Sequence, residues 1–123
     1  MRNLKRMGAM MMALVLAFSL SVTAFAAVED TGFADVAADA WYAEAVEYVR
    51  DNGLMSGTSA TTFAPNDTMT RSMLATTLYR EAGSPAVSGS DAFTDTQEGA
   101  WYADAVLWAS QEGVISGYGN GLF

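Results

Sequence analysis

The sequence contains neither cysteine nor histidine in its 123 residues. Without cysteine, disulfide bonds and thiolate metal sites are excluded. Without histidine, the chain lacks the commonest general base and the commonest metal-ligating side chain. If a chain of this kind is exported, a bacterial route fits better than a small disulfide-stapled extracellular module.

Basic residues are also scarce. Lysine occurs once, at Lys5, and beyond residue 26 the only basic side chains are Arg50, Arg71 and Arg80. All 14 acidic residues lie in that same part, so its formal charge is −11. Such a surface repels nucleic acid and anionic lipid. Both are therefore excluded as partners, and an acidic ligand needs a local cationic site.

The N-terminus predicts a signal peptide over residues 1–26. A basic start within residues 2–6 precedes an apolar run over 7–23, and Ala24-Phe25-Ala26 is a small-x-small cleavage signal. Cleavage leaves no transmembrane segment and begins the mature chain with a short acidic lead, residues 27–32. The alternative is an uncleaved membrane anchor, since the apolar run is nearly long enough to span.

An internal repeat dominates the rest of the chain. Residues 33–63 and 93–123 align at a constant offset without gaps, and 12 of the 31 pairs are identical. The repeated positions include both Trp41 and Trp101. Repeat units bury their apolar faces against one another, so we expect the copies to pack together.

Hydrophobic spacing predicts a mainly α fold with three helices, over residues 41–52, 71–82 and 101–112. Asp39 and Thr70 are the predicted N-caps of the first two helices, and Gly53 is the predicted terminator of the first. The third helix has no second helix of its own after it. It therefore either packs on the first repeat or belongs to a fragment of a longer protein, and the stop in the middle of the repeated motif favours the fragment.

Each predicted helix has an apolar face. In the first it comprises Tyr42, Ala45, Val46 and Val49. In the second it comprises Leu74, Ala75, Leu78 and Ala82, with Tyr79 beside them. In the third it comprises Tyr102, Ala105, Val106 and Ala109, and in addition Leu107.

The repeated residues resemble the S-layer homology (SLH) family. The resemblance is carried by Phe33-x-Asp35-Val36, Trp41-Tyr42, Ala45-Val46, Gly53, Ser56-Gly57, Phe63-x-Pro65 and Met69-Thr70-Arg71. It implies tandem helix-loop-helix repeat modules with the second module truncated. The first module covers 33–82, a linker covers 83–92, and the N-terminal half of the second covers 93–123. Such modules usually occur in threes, so packing with further SLH modules is expected.

The resemblance implies a non-catalytic anchor that holds an exported protein on the cell wall of a Gram-positive bacterium. The partner is then a secondary cell-wall polysaccharide with acidic pyruvate ketal groups, bound between neighbouring units without a cofactor or metal. An enzyme domain beyond this segment is compatible with such an anchor. The alternative function is self-assembly as a surface-layer or adhesion element, motivated by Leu107 and the unpaired apolar face of the third helix.

Seven residues are candidate glycan contacts: Arg71, Trp41, Trp101, Ser56, Gly57, Ser116 and Gly117. Arg71 begins a helix, where free backbone N–H groups and the helix dipole favour a carboxylate, and its guanidinium adds a bidentate contact. The alternative for Arg71 is a surface ion pair with Asp35, Asp39 or Asp67. The resemblance favours the glycan contact.

The other candidates also have two interpretations. An indole presents an apolar face on which a sugar ring stacks, but the same ring also packs at helix–loop junctions. The Ser-Gly pairs offer hydroxyl and backbone N–H groups, or their glycines simply permit a tight turn.

The second predicted helix departs from the family pattern. The family usually has Thr-Arg-Ala-Glu where this chain has Thr70-Arg71-Ser72-Met73. The hydroxyl cap is kept, but the carboxylate half of the capping box is lost, at a cost of about 0.5–1 kcal/mol. The change also removes a negative charge close to Arg71.

No catalytic constellation is recognisable. Asp35 and Asp95 recur with the repeat and are explained by a solvated face or a capping role, whereas a glycosidase needs two carboxylates at a defined separation. The sequence contains no EF-hand calcium loop, phosphate loop or nucleophile elbow. We therefore predict a binding module and not an enzyme.

Overall fold

The computed structural model describes residues 30–123. Three helices lie within this range: α1 Ala43–Asp51, α2 Arg71–Glu81 and α3 Ala103–Gln111. Among the described residues there is no strand, and the predicted mainly α fold is confirmed. The predicted signal peptide lies outside the described residues. None of the helices described has the length and apolar character needed to cross a membrane.

Two local signals act on the helix ends as predicted. The side chain of Thr70 accepts a hydrogen bond of 3.2 Å from the N–H of Met73 and caps α2. Gly53 follows α1 with φ at +67°, the left-handed conformation that commonly ends helices. All six helix ends lie within two residues of their predicted positions.

The predicted N-cap of α1 is wrong. Tyr42 occupies the cap position, without a side-chain hydrogen bond, and Asp39 lies outside the helix. Two successive turns separate them: Ala40 N–H donates to Ala37 O at 3.0 Å, and Ala43 N–H donates to Ala40 O at 2.9 Å. These turns start the helix too far along the chain for Asp39 to cap it.

Helix α1 packs on the segment before it and on Phe63 of the loop after it, residues 52–70, and not on another described helix. Its buried residues are Ala43 and Val46, which join Phe33 and Val36 in one apolar cluster. Ala45 is exposed, so the predicted apolar face is displaced around the helix. The displacement arises because the covering residues Phe33 and Val36 come from the segment before the helix and pack on the side that carries Ala43 and Val46.

Helices α2 and α3 pack against each other across the boundary between the two units. The contact contains three fully or almost fully buried alanines, Ala75, Ala105 and Ala109. Their small side chains let the helices approach closely. At the edge of the contact the rings of Tyr79 and Trp108 lie 5.7 Å apart. Of the two alternatives for the third helix, packing on the first repeat is the one observed.

The buried face of α2 differs from the prediction. Leu74 is 43% exposed and Ala82 is also exposed, whereas Thr76 is buried. The hydroxyl of Thr76 is satisfied by donating to the carbonyl of Ser72 at 2.8 Å. Because apolar residues are spread around most of α2, the position of α3 decides which of them are covered.

In each unit a pair of phenylalanine rings and an aspartate carboxylate join the start of the unit to the end of its loop. In the first, the rings of Phe33 and Phe63 lie 5.3 Å apart, and the Asp35 carboxylate accepts hydrogen bonds from the N–H groups of Phe63 and Ala64 at 2.9 and 2.8 Å. In the second, Phe93 and Phe123 are 5.1 Å apart, and Asp95 accepts from the N–H of Phe123 at 2.9 Å. Both aspartates therefore tie the start of a unit to the end of its loop.

Candidate functional site

The structure distributes the seven predicted contact residues over three places. Ser56, Gly57 and Trp101 line one cavity between the two units. Arg71 lies with Ser116, next to Gly117, in the second loop, which comprises residues 112–123. Trp41 stands apart from both groups. The sequence therefore identified residues that do not form one site.

The cavity has a volume of about 540 Å³. Its walls are the first loop, at residues 54–58, one side of α2, and the indole of Trp101 from the second unit. Leu54, Met55 and Met73 give it an apolar lining, while Thr58 and Thr77 add hydroxyl groups. A pocket with an apolar lining and a few polar groups is the usual form of a small-ligand site.

Arg80 is the one charged residue that lines this cavity, and sequence analysis did not select it. Its Nη1 donates to the carbonyl of Leu54 at 3.1 Å. Among the described residues the only salt bridge joins Arg50 to Asp51, at 2.8 Å, so Arg80 has no carboxylate partner there. Helix geometry alone separates the two arginines: with 3.6 residues per turn, Arg71 and Arg80 face opposite sides of α2 and so cannot both contact the same ligand face.

Arg71 holds the second loop. Its Nε donates to the carbonyl of Phe123 and its Nη2 to that of Ser116. The guanidinium lies 4.6 Å from the centre of the Tyr118 ring, at cation–π distance. Within residues 30–123 it forms no ion pair, so the alternative of a salt bridge to Asp35, Asp39 or Asp67 is wrong.

The glycines of the two Ser-Gly pairs are needed where the loops touch the phenylalanines. A Cβ added at Gly57 would lie 2.7 Å from a ring carbon of Phe33 and 2.6 Å from the carbonyl oxygen of Thr62. A Cβ at Gly117 would meet Phe93 in the same way. Gly57 also has φ at +78°, so both close approach and backbone conformation require glycine there.

The two tryptophans of the repeat have different surroundings. Each is packed edge-on against the following tyrosine, Trp41 on Tyr42 at 5.3 Å and Trp101 on Tyr102 at 5.2 Å. Trp101 is 64% exposed at the mouth of the cavity, whereas Trp41 is 92% exposed. The difference arises because α2 lies beside α3, while no described helix lies beside α1.

A family model described as the S-layer homology domain matches residues 32–72 and 92–123. The chain belongs to the S-layer homology family. SLH domains are non-catalytic anchoring domains that bind cell-wall polymers, and the family places this chain at the cell surface. The two matched ranges contain the paired loops and Trp101 of the cavity described above.

Several curated proteins share SLH sequence with this chain. A cell surface protein of Thermoanaerobacter kivui is 31% identical over 128 residues, covering 100% of this chain and 16% of that protein. A surface-layer 125 kDa protein of Lysinibacillus sphaericus is 54% identical over 43 residues, which is 35% of this chain and 4% of that protein. An endoglucanase of a Bacillus species is 32% identical over 91 residues, covering 74% and 10% respectively.

The chain thus spans a small part of these relatives' lengths. The enzymes among them are large proteins that share only this anchoring region with the chain. No solved structure matches the chain.

Proposed function

We propose that this SLH chain holds an exported protein on the bacterial wall by binding an acidic, pyruvylated cell-wall polysaccharide in the cavity between its two units. The proposal rests on one observation: Trp101, Arg80 and the Ser56-Gly57 bend line the same cavity, which has a volume of about 540 Å³. The pyruvylated identity of the ligand rests on the family resemblance.

The indole of Trp101 supplies the surface for a sugar ring. It is 64% exposed and forms one wall of the cavity, so a ligand gains contact without displacing a core residue. The hydroxyl groups of Ser56 and Thr77 lie on other walls. Sugar hydroxyls pair with groups of this kind, while the apolar ring face stacks on the aromatic side chain.

The guanidinium of Arg80 supplies the contact for the acid group. The chain beyond residue 26 carries a formal charge of −11, so binding of an anion depends on a local cation. Arg80 has no carboxylate partner in the described region, and donors beyond the one bound to Leu54 remain for a ligand. A charge-assisted contact of this type weakens as salt increases.

Arg71 remains a predicted second contact. Two of its N–H groups are bound to carbonyl groups of the second loop, and the remaining ones are available to an anion beside Tyr118. The alternative of self-assembly has lost its motivation. Leu107 is 7% exposed in the packed structure and offers no free apolar surface.

Retention on purified wall sacculi tests the proposal, with and without prior removal of the acidic polysaccharide. We expect Arg80→Gln to lower retention about tenfold, because a charge-assisted hydrogen bond is lost, and Trp101→Ala to lower it several-fold. Trp41→Ala is the matched control, since Trp41 lies outside the cavity, and Arg80→Lys separates charge from geometry. Equal retention on stripped and intact walls would reject polysaccharide binding.

A variant of Arg71 separates the two arginine sites. If Arg71→Gln loses retention while Arg80→Gln keeps it, the cavity is not the binding site and the second loop takes its place. Circular dichroism of every variant checks that the helices are intact, so that a folding defect is not mistaken for lost binding.

A further inference from the structure

The dipeptide Asn-Gly occurs twice in the described part of the chain, at Asn52-Gly53 and Asn120-Gly121. In this dipeptide the backbone nitrogen of glycine is able to attack the side-chain amide of asparagine, because glycine has no side chain to hinder the approach. The reaction needs a glycine N–H that is free and a backbone that can bring it to the asparagine Cγ atom.

The first Asn-Gly pair is held in a conformation that blocks the reaction. The N–H of Gly53 donates to the carbonyl of Arg50 at 3.0 Å, and Nδ2 of Asn52 donates to the carbonyl of Tyr48 at 2.9 Å. Asn52 is the C-cap of α1 with ψ at 4°, which turns the Gly53 nitrogen away from the Asn52 side chain. The Gly53 N–H and the Asn52 amide are therefore both hydrogen-bonded, and the backbone holds the nitrogen away from the amide carbon.

The second pair lies at the exposed tip of the second loop. The loop is closed below it by a hydrogen bond of 2.9 Å from Tyr118 N–H to Leu122 O. Within residues 30–123 neither the Asn120 amide nor the Gly121 N–H has a hydrogen-bond partner. Asn120 is also exposed to water.

The first loop lacks the dipeptide, since the residues equivalent to Asn120 and Gly121 are Ala60 and Thr61. There the N–H of Thr61 donates to the hydroxyl of Ser59 at 3.3 Å. The residue equivalent to Ser59 in the second loop is Gly119, which has no hydroxyl. The second loop therefore lacks this acceptor and contains the reactive dipeptide.

We propose that Asn120 is a site of spontaneous deamidation. The deprotonated Gly121 nitrogen attacks Cγ of Asn120, the bond from Cγ to Nδ2 breaks, and ammonia leaves with the displaced proton. A five-membered succinimide remains. Water then adds at one of its two carbonyl groups and opens the ring, which restores the N–H and gives either aspartate or isoaspartate. No oxidant or enzyme is required, and the rate rises with hydroxide concentration.

The modification acts on the loop that Arg71 holds. The carbonyl of Gly121 accepts hydrogen bonds from the N–H and the hydroxyl of Thr94, at 2.8 and 3.1 Å. Isoaspartate adds a methylene to the main chain directly before this residue. Arg71 binds the carbonyls of Ser116 and Phe123 on either side of the reacting pair, so the longer loop no longer fits all of these contacts.

One sample contains both the test and its control: Asn120-Gly121 is the reactive pair and Asn52-Gly53 is the internal control. The purified chain is incubated at mildly alkaline pH, and peptides containing each pair are followed by mass spectrometry, with isoaspartate quantified by its methyltransferase. We expect Asn120 to convert roughly tenfold or more faster than Asn52 in the folded protein, because hydrogen bonds must break at Asn52 first. In concentrated urea the two rates become similar. Equal rates in the folded protein, a faster Asn52, or an unchanged ratio in urea would each overturn the proposal.

The effect on the loop has its own test. After incubation we expect the wild-type chain to melt at a lower temperature, while incubated Asn120→Ala keeps its initial melting temperature. Asn120→Asp, which has the new charge but a normal backbone, should melt close to the fresh wild type. If the aged wild type and aged Asn120→Ala melt alike while isoaspartate has accumulated, the predicted effect on the loop is wrong.

Discussion

The carboxylate of Asp35 accepts a hydrogen bond of 2.9 Å from the backbone N–H of Phe63, at the opposite end of its unit. A second bond, from the N–H of Ala64, measures 2.8 Å. These bonds stabilise the ionised carboxylate, so the pKa of Asp35 lies below its ordinary value of 3.8, with the Phe63 N–H as the largest cause. The second unit has the equivalent bond from Asp95 to Phe123.

Acid should destabilise the first unit by protonating Asp35. Because the folded pKa of Asp35 is lowered, its stabilising effect is complete above the unfolded value near 3.8 and is lost as pH falls through the lower folded pKa. Asp35→Asn should lower the free energy of unfolding at neutral pH and flatten its fall below about pH 5. Urea unfolding at a series of pH values measures both effects. If the free energy of unfolding falls equally steeply with pH in variant and wild type below about pH 5, these hydrogen bonds do not control stability in acid.

Gly57→Ala should destabilise the chain more than Gly53→Ala does. Both glycines have positive φ, so alanine costs about 1–2 kcal/mol at either position. At Gly53 a Cβ meets nothing within 4 Å, but at Gly57 it meets the ring of Phe33 and the carbonyl of Thr62. Overpacking adds about 1–3 kcal/mol there. Chemical denaturation of the two variants side by side provides the comparison, and equal losses would show that the close approach carries no cost.

Trp108→Ala should destabilise the chain by about 2–3 kcal/mol, because the indole is half-buried against Tyr79 at the contact between α2 and α3. Tyr48 occupies the same repeat position on α1 but is 57% exposed. Tyr48→Ala should therefore change the free energy of unfolding by less than about 0.5 kcal/mol. A double-mutant cycle of Tyr79 and Trp108 isolates the ring–ring term, and a coupling energy of zero would contradict the packing described.

Met73→Glu should stabilise α2 and weaken wall binding at the same time. A carboxylate at this position completes the capping box with Thr70 and adds about 0.5 kcal/mol of stability. The same side chain lines the cavity, where its charge opposes an acidic ligand. Met73→Gln is the matched control, since it keeps the capping interaction without the charge. Stronger retention of Met73→Glu than of the parent would contradict an acidic ligand in this cavity.

The helices themselves could be predicted from local rules. A hydroxyl at Thr70, a glycine at Gly53 and the repeat of aromatic and small residues were enough to place all six helix ends within two residues. Asp39 was assigned wrongly as a cap because the turns between it and Tyr42 leave no signal in residue type.

The candidate site was predicted only in part. Trp101, Ser56 and Gly57 do line the cavity, but Arg80 was passed over in favour of Arg71. Both arginines lie on one short helix, and residue type alone does not distinguish them. Their opposite sides of α2 follow from helix geometry, but which side faces the cavity depends on the loop at residues 54–58.

The sequence by itself determined the duplication, the helical class and the family, because each depends on residue types at fixed spacing. Only the tertiary structure decided that α2 pairs with α3 across the unit boundary and that α1 is covered by the flanking segments of its own unit. Apolar residues surround most of α2, so the pattern along the chain does not select its buried face. That choice depends on which distant segment covers the most apolar area, and contacts of this kind are absent from local spacing.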